Sequence, residues 1–206
     1  MTESSGDTVV FSEGFESYQV NALPTNWRIQ TGGKGGITGV VPESEIAPSA
    51  VSGSKVLALS WGDDDGEDTA IIGPVNPAAE TSYTPSALSI RVYDPRQSSN
   101  DNWEVRFYNA DMKRVFGFFG NARDKELVAT NRDGWQSRTD TYWSAGWHEI
   151  RFADIDWQRG TTNVIVDGET HFEQSSFKGS NISQIQLHAR NYDDTDFLVD
   201  SIRATA

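Results

Sequence analysis

The sequence predicts an all-β fold, a sandwich or a barrel built as one domain, and three observations carry that reading. Short strand-like runs alternate with clusters of Gly, Pro, Asn and Asp almost from end to end. The composition, with 18 Gly, 7 Trp and 11% aromatic residues, suits strands and turns, and no segment keeps a helical period beyond a turn or two. Near the C-terminus, Ile182-Ser-Gln-Ile-Gln-Leu-His-Ala-Arg190 alternates strictly. Ile185, Leu187 and Ala189 point one way; Gln184, Gln186, His188 and Arg190 point the other.

The elements follow in order. Val9-Val-Phe11 opens, and Trp27-Arg-Ile-Gln30 comes after the turn Leu23-Pro-Thr-Asn26. Ile37 to Val41 follows the glycine-rich Gly32-Gly-Lys-Gly-Gly36. Lys55 to Trp61 and Thr69 to Ile72 flank the acidic loop Gly62-Asp-Asp-Asp-Gly-Glu-Asp68. Then come Ala87 to Tyr93, Trp103 to Tyr108, Arg114 to Phe119 and Leu127 to Thr130. Trp147 to Phe152 and Thr162 to Asp167 precede the alternating run, and Phe197 to Arg203 closes the series. With no repeat and no linker, 206 residues read as a single domain, 1–206, with 1–7 as a flexible polar leader.

Charge and composition exclude several functions. The net charge of −13 argues against nucleic acid, whose phosphates it would repel. No run of about eighteen apolar residues is present, so no membrane span is expected. Cysteine is absent, which removes disulfides and thiolate metal sites. Five lysines against twelve arginines on an acidic chain match a salt-adapted, halophilic surface, or else an ordinary acidic secreted one. A secreted or cell-surface location is expected.

Several segments resemble the concanavalin A-like jelly-roll superfamily. These are Phe11-Ser-Glu-Gly-Phe-Glu-Ser-Tyr18, Leu23-Pro-Thr-Asn-Trp27, Ser52-Gly-Ser-Lys-Val-Leu57, Gly146-Trp-His-Glu-Ile-Arg-Phe152, Thr162-Asn-Val-Ile-Val-Asp-Gly168 and Phe197-Leu-Val-Asp-Ser-Ile202. That superfamily includes laminin-G-like domains, legume-type lectins, carbohydrate-binding modules and glycan-cleaving enzymes. The resemblance implies a two-sheet antiparallel β-sandwich whose concave sheet holds a polysaccharide. It also implies a structural Ca²⁺ near the first and last strands, with Glu16 and Asp200 as ligands and Glu13 as a further one. The other reading of Glu16 and Asp200 is that they cap turns.

On such a frame the polar faces become candidate groove residues. Alternation in Leu88 to Tyr93 leaves Arg91 and Tyr93 outside, and alternation in Trp103 to Tyr108 leaves Glu104, Arg106 and Tyr108 outside. If these strands adjoin the Gln186 strand, then Arg91, Tyr93, Glu104, Arg106, Tyr108, Gln186, His188 and Arg190 line one face. Amides and guanidinium groups suit hydroxyls and carboxylates, and aromatic rings suit sugar faces. Trp135, after the turn Asn131-Arg-Asp-Gly134, is the leading exposed aromatic candidate, followed by Trp143 and Trp157. The competing reading is a solvated sheet face with charges paired across strands.

Gln186-Leu-His188 also resembles the Gln-x-His of jelly-roll polysaccharide lyases of the alginate-lyase type. That resemblance implies β-elimination at a uronate: Gln186 and Arg106 neutralise the carboxylate, His188 or Tyr108 removes the C5 proton, and Tyr108 protonates the leaving oxygen. The accompanying Arg-x-Glu-Leu-Arg and Tyr-x-Lys-x-Gly-x-Tyr motifs are missing. A glycosidase needs a carboxylate pair, and no Glu-x-Asp-x-x-Glu strand exists here; Asp154 and Asp156 read as a polar strand end. His148 and His171 read as structural. The acidic loops at 62–68 and 191–196 read as solvated charge runs, with calcium as the alternative for the first. Three functions stand: carbohydrate binding, polysaccharide lyase, and a structural or adhesion domain without a glycan ligand.

Overall fold

The computed structural model describes residues 8–25, 27–31, 38–42, 53–60, 69–74, 82–94, 102–121, 126–131, 133–139, 145–190 and 196–206. Leader residues 1–7, the loop 62–68, Trp61, Trp143 and residues 191–195 lie outside them. The described chain is a two-sheet antiparallel sandwich of fifteen strands, β1(Val9–Glu13), β2(Arg28–Thr31), β3(Thr38–Pro42), β4(Lys55–Ser60), β5(Thr69–Pro74), β6(Ala87–Asp94), β7(Asn102–Tyr108), β8(Arg114–Asn121), β9(Glu126–Asn131), β10(Gly134–Thr139), β11(Gly146–Asp156), β12(Thr161–Val166), β13(Glu169–Ser176), β14(Gln184–Arg190) and β15(Asp196–Thr205). Sheet A runs β13-β12-β11-β6-β15-β4-β3, with β1 also on β15; sheet B runs β10-β9-β8-β7-β14-β5-β2.

Two strands went unread in the sequence, β10 and β13, and both are sheet edges. Their segments, Gly134-Trp-Gln-Ser-Arg-Thr139 and Glu169-Thr-His-Phe-Glu-Gln-Ser-Ser176, are too polar to show a clean apolar alternation. An edge strand pairs on one side only and needs little apolar surface to stay attached. Polar bonds hold these two edges together: the Ser175 hydroxyl donates to the Thr130 carbonyl at 2.5 Å, and Gln136 Nε2 donates to Ser175 Oγ at 2.6 Å.

Alternation placed the core residues correctly. Leu88, Ile90 and Val92 of β6, Trp103, Val105 and Phe107 of β7, and Ile185, Leu187 and Ala189 of β14 all pack between the sheets. Aromatic contacts join the two layers. Trp103 stacks on Phe197 at 5.6 Å, and Phe152 meets Phe116 at 4.9 Å and Phe107 at 5.6 Å. Rings at such separations add about 0.5–1.5 kcal/mol per pair beyond the area they bury. The hairpin β12–β13 turns through Asp167-Gly168, both at positive φ (49° and 84°), the conformation that a two-residue hairpin loop requires.

The expected calcium ligands have other work. Glu16 Oε1 accepts from the backbone N–H groups of Ser54 and Lys55, and its Oε2 accepts from the Ser54 hydroxyl. Burial opposes ionisation, but these bonds and the Lys55 charge together outweigh it and hold the Glu16 carboxyl below its usual value. Glu13 accepts from the Phe15 N–H and from the Tyr18 hydroxyl. Burial, this hydrogen bond and the Glu13 charge push the Tyr18 phenol up to about 12. Asp200 is buried at a register shift in β15. Donors aimed at both glutamates are the opposite of what a cation needs, and no group of three acidic or histidine side chains converges among the described residues. Glu13 and Glu16 thus cap backbone N–H groups of the chain itself.

Candidate functional site

The outer face of sheet B is ordered by register. One row crosses Ala70, His188, Glu104, Phe119 and Val128; the next crosses Ile72, Gln186, Arg106, Gly117 and Thr130. These side chains share the face because Ile71, Leu187, Val105, Phe118 and Ala129, between them in sequence, fill the core. β7 and β14 therefore adjoin, as expected, and bring together Glu104, Arg106, Tyr108, Gln186 and His188.

The expectation for Arg91 and Tyr93 fails. Their strand β6 lies in sheet A between β11 and β15, so both residues sit on the opposite outer face. Tyr93 packs there against Trp147 at 5.4 Å, over Val41, Val56, Ala58 and Leu198. Alternation tells which residues share a strand face; it does not tell which sheet a strand joins. Arg190 is the last residue of β14, opposite Asn102, and its side chain lies outside the described residues.

At the centre of the face Glu104 is 4% exposed. Arg106 Nε donates to its Oε1 at 2.5 Å, and His188 Nδ1 lies 3.7 Å from its Oε2. Burial alone would raise the Glu104 carboxyl, but the polar contacts from His188 and Arg106, with their charge, outweigh it and hold the group below its usual value. Burial would lower Arg106, while Glu104 and Tyr108 raise it on balance, so the guanidinium stays charged. Beside this pair the Tyr108 hydroxyl donates to Gln186 Oε1 at 3.1 Å, and Gln186 Nε2 donates to Gln30 Oε1 on β2.

Trp135 reaches this centre from the far edge. It lies three strands from Arg106, across from Thr130 and close to Gly117. Gly117 leaves room for it: a Cβ there would stand 3.4 Å from Trp135 Cη2 and 2.7 Å from the Val105 carbonyl oxygen. The indole leans on Phe119 at 5.2 Å, under the Arg114 guanidinium at 4.3 Å and within 6.0 Å of Arg106. Trp157, the other described indole candidate, packs on Phe116 and Phe177 and donates to the Pro85 carbonyl, so it serves the core.

Arg114 and Gln30 escaped the sequence reading. Gln30 could have been found, since in Trp27-Arg-Ile-Gln30 it alternates with the apolar Trp27 and Ile29. Arg114 could not. Phe116 is buried in the core, so plain alternation sends Arg114 inward; a register shift between Phe107 and Tyr108 turns it outward instead.

Chemically, the face presents amide, phenol, guanidinium and indole groups around the ionised Glu104. The lyase set is assembled on two strands, but Arg106 is committed to Glu104 and Gln186 to Tyr108 and Gln30.

No protein-family profile and no curated protein sequence matches the chain. Solved structures do. The beta-glucanase of Bacillus licheniformis superposes with a TM-score of 0.55 at 14% identity, covering 98% of this chain and 99% of that one. The laminarinase from Flavobacterium sp. UMI-01 gives 0.59 at 12% identity over 97% and 100%. The GlcNAcα1-4Gal-releasing endo-β-galactosidase from Clostridium perfringens gives 0.59 at 14% over 98% of this chain and 63% of that one. At these identities the likeness speaks for architecture, and it agrees with the strand order: this chain has the concanavalin A-like jelly-roll fold.

Proposed function

We propose that this domain binds a polysaccharide on the outer face of sheet B. The observation that carries the reading is Trp135, drawn over Gly117 so that its indole stands beside the polar row of Tyr108, Gln186 and Arg106. An aromatic plane bordered by amide, phenol and guanidinium groups matches a sugar, which is apolar on its ring face and polar at its rim. The solved structures of similar fold carry names of enzymes that act on glycans, which supports a glycan over other ligands. Binding rather than cleavage is favoured because the groups a lyase would need are tied to one another, and His188 is only 8% exposed.

The test is retention on a panel of immobilised neutral and uronate-containing polysaccharides. The wild type is retained on at least one, and Trp135→Ala weakens that binding by about tenfold or more. Ultraviolet absorbance from unsaturated uronate products, lost in His188→Ala, would instead establish the lyase. No retention and no cleavage across the panel would leave an adhesion domain.

A further inference from the structure

The outer face of sheet A, across the sandwich from the proposed groove, carries a second polar constellation. Ser89 of β6 stands in register between Arg151 of β11 and Arg203 of β15. The three share this face because Leu88, Ile90, Ile150, Phe152, Ile202 and Ala204, adjacent in the same strands, point into the core. With neighbouring strands about 4.8 Å apart, the two arginines flank the serine across about 10 Å. Together with Ala87, Leu88, Glu149 and Thr205 they line a cavity of about 210 Å³.

Two features mark this cavity as a ligand site rather than a decorated sheet face. First, both arginines are exposed, and among the described residues neither forms a hydrogen bond or an ion pair within 4 Å. On a chain of net charge −13, two guanidinium groups held side by side without a carboxylate partner are unusual. The lining sets Arg151 and Arg203 against the single carboxylate of Glu149, so the patch keeps a positive excess. Second, Thr205 is nine-tenths buried in the wall, and its hydroxyl has no hydrogen-bond partner among the described residues. Buried hydroxyls are normally satisfied.

We propose that this cavity binds an oxyanion, the sulfate or carboxylate group of a charged ligand. Arg151 and Arg203 supply charge-assisted donors in the planar geometry that oxyanions accept, and the Ser89 hydroxyl supplies a neutral donor between them. The site is independent of the sheet B face and stands whether or not that face binds a glycan.

Calorimetric titration of the full chain with sodium sulfate and, separately, sodium glucuronate tests it, with sodium chloride at matched ionic strength as the reference. Binding of at least one oxyanion beyond chloride is expected, and which one binds identifies the group. Arg151→Ala and Arg203→Ala each weaken it by about tenfold or more, Arg203→Lys weakens it less, and Trp135→Ala leaves it unchanged. Both arginines are exposed, so near-ultraviolet circular dichroism of the variants should match the wild type. No binding beyond chloride, or full binding in both alanine variants, would overturn the site. A loss in Trp135→Ala would overturn it too, by assigning the anion to sheet B.

Discussion

Replacing Glu104 by alanine removes the charge at the centre of the sheet B face. Its side chain is 5% exposed, with Arg106 at 2.5 Å and the His188 ring at 3.7 Å. Deleting one partner of a buried ion pair costs about 3–5 kcal/mol, because the other charge stays behind in a dry site. Arg106 keeps 26% of its side chain exposed and regains part of its hydration, so the lower end, about 3 kcal/mol, applies. For a chain of this size each kcal/mol moves Tm by about 2–4 °C, which places Glu104→Ala about 6–12 °C below the wild type. Thermal denaturation at neutral pH, followed by circular dichroism, reads this directly. Glu104→Gln keeps the shape without the charge and should fall between the two. The pH dependence follows in sign. Because the folded Glu104 carboxyl is held below its usual value, its contribution is complete above about pH 4.3 and fades as pH falls through the lowered folded value. The gap between wild type and Glu104→Gln should therefore narrow in acid. A neutral-pH Tm for Glu104→Ala within about 2 °C of the wild type, or a gap that widens in acid, would refute this reasoning.

Three further outcomes follow from packing and capping. In Gly73→Ala the new Cβ would stand 2.2 Å from Trp27 Cδ2, so the indole must leave its place in the core. A loss of about 2–3 kcal/mol with altered tryptophan fluorescence is expected, and an unchanged melt would contradict it. Asp167→Ala removes the acceptor of the 2.6 Å bond from His148 Nδ1 and of the Glu149 N–H. It also places alanine at φ 49°. Denaturant titration should show a loss of about 2 kcal/mol. Calcium chelator should leave Tm unchanged, since N–H and O–H donors already occupy Glu13 and Glu16; a clear drop would restore a calcium site.

The fold was largely legible because faces follow from alternation. Ile185, Leu187 and Ala189 went to the core and Gln186 and His188 to the surface, as a period of two requires. What alternation does not encode is sheet membership. Arg91 and Tyr93 carry the same pattern as Arg106 and Tyr108, yet long-range pairing sends β6 to sheet A and β7 to sheet B. Nor does it encode irregularity: one register shift beside Tyr108 delivers Arg114 to the face that Trp135 shares. Polar edges such as β10 and β13 stay hidden for a different reason, since their place is set by pairing and by bonds like Ser175 to Thr130 rather than by buried apolar area. The candidate site was thus half visible: β7 and β14 were read together, while the partners Gln30 and Arg114 needed the strand order.

The most direct measurement is the affinity of the wild type and of Trp135→Ala for the polysaccharide panel, measured side by side. Saturable binding of the folded wild type, weakened about tenfold or more in the variant with the melt preserved, is what a glycan-binding sheet B face predicts. Equal binding by the two proteins, or none by the wild type on any polysaccharide, would contradict it.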